Sequence, residues 1–134
     1  MRKTIYVLDS YAILAYFQAE PGGLKVKELL KQAKAENALT TMSLINLGEV
    51  IYITGRKLRE DRAKEIFGDI MLLPIQFAEV TKDRVIAAAQ VKTRYPISYA
   101  DAFTVSLAQE LNATIVTGDP EFKKVESLVA LLWI

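Results

Sequence analysis

The sequence predicts an α/β protein, a three-layer α/β/α sandwich in which helices cover both faces of a central parallel sheet of about five strands. Three observations carry this expectation. Short apolar, β-branched runs alternate with longer helical patterns from one end of the chain to the other. The first run, Thr4 to Leu8, is apolar without alternation, which marks a strand buried on both faces, as in a parallel sheet. The 134 residues, 51% hydrophobic, suffice for one compact core and contain no polar or repetitive linker. A single domain spanning residues 1–134 is therefore expected.

Asp9 follows the first strand directly, and Ser10 to Gln18 reads as a helix. Pro21-Gly22-Gly23 is a turn. Leu24 to Glu36 places Val26, Leu29, Leu30 and Ala33 at helical spacing among Lys and Glu, the pattern of an amphipathic surface helix. Ala38 to Thr41 is a short second strand, and Ser43 is suited to cap a helix running to about Arg59. A further helix is expected over Glu60 to Asp69. Met71 to Ile75, containing Pro74, reads as a third strand near a sheet edge. Thr81 to Arg94 is helical by pattern and is stopped by Tyr95-Pro96. Ser98 then opens a nearly all-apolar helix to about Leu111, which should be central and buried. Thr114 to Val116 is a fourth strand, Gly118-Asp119-Pro120 a turn, and Leu128 to Trp133 a last strand. In such sheets ligands gather beyond the carboxyl ends of the strands, near the point where strand order reverses.

The chain has neither Cys nor His, which removes imidazole bases, thiol nucleophiles, disulfides and the usual zinc ligand sets. Carboxylates, hydroxyls, Lys, Arg and Tyr remain for any chemistry, and hard oxygen ligands suit Mg²⁺ or Mn²⁺. Seventeen Lys and Arg against sixteen Asp and Glu give a net charge of +1, so no overall basic field draws in a polyanion. The basic, then apolar start resembles a signal peptide, but Asp9 interrupts it and no small-residue cleavage site follows Phe17. No apolar span approaches the roughly 18 residues needed to cross a bilayer. A soluble cytoplasmic protein is expected.

Four carboxylates stand in places costly for a negative charge, at strand ends or on apolar helix faces. They are Asp9, Glu49, Asp101 and Asp119. Each also has a purely structural reading. Asp9 and Asp119 are suited to cap the helical segments that follow them, with Pro120 at a first helical position. Asp101 completes a variant capping box with Ser98. Glu49 lies between Ile45 and Ile53, with Tyr52 a turn away, on the face expected to be buried, where its structural reading is an ion pair with Lys or Arg. Glu49 and Asp101 therefore carry more of the argument than the two capping candidates. If the four converge, their repulsion raises some of their pKa values unless a divalent ion neutralises them. Asp61, Asp69, Asp83 and Glu121 lie in mixed charged stretches and read as solvated.

The segments LDSYAILAYF, SLINLGEVIY, SYADAF and TGDPEF together resemble the PIN domain, particularly toxins of the VapC type, over essentially the whole chain. The resemblance implies strand order 3-2-1-4-5 and an endoribonuclease that hydrolyses RNA phosphodiester bonds with one or two Mg²⁺ or Mn²⁺ ions. It maps Asp9, Glu49, Asp101 and Asp119 onto the family's acidic quartet, both catalytic and metal-binding. Thr117 matches a frequent hydroxyl near the fourth acid, and Ser10 is an auxiliary. It further implies homodimers and, for toxins, an antitoxin that blocks the site. Arg56, Lys57 and Arg59 are candidates to meet the RNA backbone, although basic runs at helix ends are more often only solvated. Apolar positions on Leu24 to Glu36 and Leu44 to Leu58 are candidates for an antitoxin or a second subunit, against the commoner fate of core packing. Other readings are a general RNA-processing PIN nuclease, a PIN-like binding module that cuts nothing, and a small-molecule phosphohydrolase of haloacid-dehalogenase type. That last class usually carries a second Asp where this chain has Tyr11.

Overall fold

A computed structural model describes residues 2–134. Its elements in chain order are β1 (Thr4–Leu8), α1 (Ser10–Phe17), α2 (Gly23–Lys34), β2 (Ala38–Ser43), α3 (Leu44–Lys57), α4 (Glu60–Leu72), β3 (Gln76–Ala78), α5 (Lys82–Arg94), α6 (Tyr99–Leu111), β4 (Thr114–Thr117), a 3₁₀ turn (Pro120–Val125) and β5 (Ala130–Trp133). The five strands form one sheet of order β3-β2-β1-β4-β5, and every neighbouring pair is parallel. The expected architecture and strand order are both present.

Alternation along the strands divides the core between the two faces. Val7 and Ile115 point into a cluster with Ala88, Val91, Phe103 and Val105 of α5 and α6. Their neighbours Leu8 and Val116 point the other way, to Ala12, Val26, Leu47 and Ile70 of α1 to α4. α6 is central as expected, with Ala102 to Ala108 buried without a break. It ends at Asn112, whose φ of 52° is the left-handed conformation that Asn tolerates at a helix C-terminus.

The third strand is the main departure from the sequence reading. Met71 and Leu72 belong to α4, which continues past Asp69, and the strand is Gln76–Ala78 rather than Met71 to Ile75. Burying Ile66 and Ile70 on one stripe leaves Met71 and Leu72 outside, so an apolar run that looked like a strand is a helix end exposed to solvent. Pro74 then makes the chain extended, and the Thr40 and Thr41 hydroxyls donate to the Pro74 and Gln76 carbonyls at 2.5 and 2.7 Å. Smaller differences lie at ends: β2 runs on to Ser43, β4 to Thr117, α3 stops at Lys57, and β5 begins at Ala130. Among the described residues no helix is long and apolar enough to cross a membrane.

Candidate active site

β1 and β4 lie side by side where the strand order reverses, and the chain leaves both at their carboxyl ends beside each other. Asp9 sits at that edge and is 2% exposed. One carboxylate oxygen accepts the Ala12 amide at 2.8 Å, capping α1, and the other accepts the Thr117 hydroxyl at 2.5 Å. The capping role is therefore present, but it uses only one of the two oxygens. Thr117 in turn accepts the Asp119 backbone amide at 3.0 Å, and Asp119 caps the 3₁₀ turn by accepting the Glu121 amide at 3.0 Å. Asp9 and Asp119 are thus tied through one hydroxyl across the reversal point.

α3 and α6 supply the other two acids. The Ser10 hydroxyl donates to Glu49 at 2.5 Å, so α1 holds the α3 carboxylate next to Asp9's end of the sheet. Glu49 is only half-buried and Tyr52 is exposed, which corrects the expectation of a buried face. α3 buries Asn46, Leu47, Val50 and Thr54 instead, and leaves Glu49 on a partly exposed side, within reach of Ser10. Asp101 stands in the first turn of α6, where Ser98 accepts its amide at 3.1 Å, the N-cap half of the expected capping box.

Burial and mutual repulsion both act on these carboxyls. Burial pushes the Asp9 carboxyl up from 3.8 to about 7, against the bonds from Thr117 and Ala12, and the charges of Asp101 and Asp119 push it further up. Asp101 is pushed up to about 6, first by burial and then by Asp119, Glu49 and Glu121, with a bond to Ser98 opposing. Among the described residues none of the four acids has a Lys or Arg partner, so the ion-pair reading of Glu49 does not hold. The cost falls most heavily on Asp9, which the sequence ranked below Glu49 and Asp101. Asp61, Asp69 and Asp83 are exposed as expected. Glu121 is exposed too, but its charge reaches Asp101, a neighbourhood signalled only by its place two residues after Asp119.

Among the described residues no three acids form a ready-made metal cage. The donor set still suits a hard divalent cation, because every available group is a carboxylate or hydroxyl oxygen and two carboxylates bear uncompensated charge. Mg²⁺ in particular keeps several waters and takes one or two carboxylates along with substrate phosphates, so a closed cage is not needed. Three further residues shape the site although the sequence assigned them no role in it. The Tyr11 ring lies against Gly118, where an added Cβ would stand 2.3 Å from its Cε1. Asn46 and Thr104, both fully buried, are joined at 2.9 Å between α3 and α6.

A family model described as PIN domain matches residues 6–128. The chain belongs to the PIN domain family. Solved PIN-type structures are similar over nearly the full chain. VapBC2 from Rickettsia felis, bound to a DNA fragment from its promoter, aligns with a TM-score of 0.75 at 22% identity, covering 96% of this chain and 98% of that one. DNA-bound VapBC from Salmonella typhimurium gives 0.76 at 15%, with 96% and 97% covered. VapC20 from Mycobacterium tuberculosis, a toxin cleaving the sarcin-ricin loop, gives 0.71 at 17%, with 94% and 97% covered. Among curated proteins no sequence matches this PIN domain significantly.

Proposed function

We propose that this PIN-domain protein is a Mg²⁺- or Mn²⁺-dependent endoribonuclease and the toxin of a toxin–antitoxin pair. The observation that carries the reading is Asp9, a buried carboxylate with no cationic partner among the described residues, opposed by two further acids at the reversal point of the sheet. Asp9, Asp101 and Asp119 would hold the cation, with Glu49 completing the set. When bound, a divalent ion would neutralise these charges, polarise the scissile phosphate and acidify an attacking water. The protein's part is placement. Thr117 keeps Asp9 and Asp119 in register, and Ser10 keeps Glu49 beside the end of β1, where its free oxygen can orient a water or accept its proton.

Arg56, Lys57 and Arg59 are exposed at the end of α3, and the Arg56 guanidinium lies 5.4 Å from the Tyr52 ring centroid. That patch can contact phosphates while Tyr52 offers a face to a base. An apolar groove between α3 and α4, lined by Ile51, Gly55, Ala63 and Phe67, supports docking of an antitoxin segment. α2 supports it less, since Val26 and Leu30 are spent on the core. The reading includes a homodimer, a cytoplasmic site of action and one domain over residues 1–134, the last supported by two cores that share a single sheet.

The test is cleavage of single-stranded and structured RNA by purified protein with Mg²⁺ or Mn²⁺. Cleavage should stop with chelator and in a folded Asp101→Asn variant. Full activity in that variant overturns the assignment, and hydrolysis of a small phosphate ester without RNA cleavage favours the phosphohydrolase. Co-purification with a small protein that suppresses cleavage supports the toxin role, and cleavage without such a partner favours general RNA processing.

A further inference from the structure

Asn46 and Thr104 are both fully buried, in surroundings that apolar side chains of similar size would fill at no desolvation cost. The Thr104 hydroxyl donates to Asn46 Oδ1 at 2.9 Å, and Asn46 Nδ2 donates to the Ala100 carbonyl at 3.3 Å. Asn46 therefore grips α6 at two points, one turn apart. These points bracket Asp101: Ala100 precedes it directly and Thr104 follows it by one turn. On α3, Asn46 lies one turn before Glu49. The two helices that carry opposing acids are joined by a polar clamp on their buried sides, next to those acids.

We propose that Asn46 and Thr104 are positioning residues that set the separation of Glu49 and Asp101, and with it the site's affinity for a divalent cation. The proposal rests on the metal-dependent reading above. Two like charges on neighbouring helices favour spreading, and apolar contact between the helices is non-directional, so it resists sliding and rotation poorly. A hydrogen-bonded amide resists both, because its donor and acceptor directions are fixed. Partners hydrogen-bonded directly to metal ligands alter affinity by about 10–100-fold when removed, and a clamp that acts on the ligands through their helices is expected at the lower end of that range.

The experiment is Mn²⁺ binding followed by electron paramagnetic resonance, with urea unfolding in chelator measured on the same proteins. Thr104→Val removes the hydroxyl with almost no change of volume. It should raise the Mn²⁺ Kd about tenfold and shift the Mg²⁺ dependence of cleavage to higher concentration, while Thr104→Ser restores both. The double variant N46L/T104V replaces the whole polar pair by apolar groups. It should fold at least as well as the single variant and still bind Mn²⁺ weakly, which separates positioning from stability. Wild-type Mn²⁺ affinity in folded Thr104→Val and N46L/T104V overturns the clamp alone. Absence of Mn²⁺ binding and of cleavage in the wild-type protein overturns the metal-dependent reading and the clamp with it.

Discussion

Asp9 is held ionisable at a site where burial and two neighbouring carboxylates oppose its charge, and this has a measurable consequence for stability. With Asp9 raised to about 7 and Asp101 to about 6, the folded chain retains protons between about pH 4 and 7 that the unfolded chain has lost. The folded state binds more protons there, so the stability of the metal-free protein falls as pH rises through that window and levels off above it. Urea midpoints in chelator should be higher at pH 5 than at pH 7.5, and Mg²⁺ or Mn²⁺ should recover the difference at the higher pH. Asp9→Asn should abolish cleavage yet stabilise the metal-free protein at pH 7.5 by about 1–3 kcal/mol, since Asn Oδ1 still accepts the Ala12 amide and Nδ2 can donate to the Thr117 hydroxyl oxygen, with no charge to bury. A midpoint equal to or below that of the wild type would remove the electrostatic cost assigned to Asp9. All four acids were legible from local sequence, because each breaks an apolar pattern. Their ranking was not. Helical spacing marked Glu49 as buried, but it cannot tell a face against the sheet from one at a cleft. The cost at Asp9 arises from burial by elements distant in sequence, and the Thr117 hydroxyl that partly offsets it comes from 108 residues away, which no local pattern records.

At the scale of elements, two glycines make contrasting close approaches. Gly23 begins α2 against the end of α1, and a Cβ there would stand 2.5 Å from the Ala15 carbonyl oxygen and 3.1 Å from the Tyr16 Cα. Both are backbone atoms of a helix packed on the core, so neither can move aside cheaply. Gly118→Ala would also meet an atom too closely, but that atom belongs to the Tyr11 ring, which is 40% exposed and free to swing outward. Gly23→Ala should therefore cost about 1–3 kcal/mol in urea unfolding. Gly118→Ala should cost less than about 1 kcal/mol in the same measurement. Equal losses of stability would show that the α1–α2 junction yields as easily as a side chain. The helices and most strands were readable because their apolar periods and caps are local: Ser43, Thr81 and Ser98 each accept an amide at the start of the helix that follows. Met71 to Ile75 misled because a helix end with exposed apolar residues and a short buried strand have the same composition, and only the packing of Ile66 and Ile70 separates them.

For the molecule as a whole, the sheet order makes the site a property of the complete fold. Asp9 leaves β1 and Asp119 follows β4, neighbouring strands that are separated in the chain by α1 to α6 and by β2 and β3. The two cores lie back to back on this sheet, Val7 and Leu8 pointing to opposite sides from adjacent positions, so loss of either side exposes the other. β5 completes the edge: its Trp133 carbonyl accepts the Lys25 side chain of α2 at 3.1 Å, linking the last strand to the second helix. Trp133 is the only tryptophan, so its fluorescence reports on that edge while far-ultraviolet circular dichroism reports on the helices of both layers. If the chain is one cooperative domain, the two signals should follow the same urea transition, with coincident midpoints and slopes, and Mn²⁺ binding should be lost in that transition as well. An earlier fluorescence transition with Mn²⁺ binding retained would mean that β5 is a separable edge and that β1, β4, α3 and α6 suffice to hold the acids. Loss of Mn²⁺ binding before either signal would place the acidic site at the low-stability end of the fold, with α3 and α6 parting before the sheet unfolds.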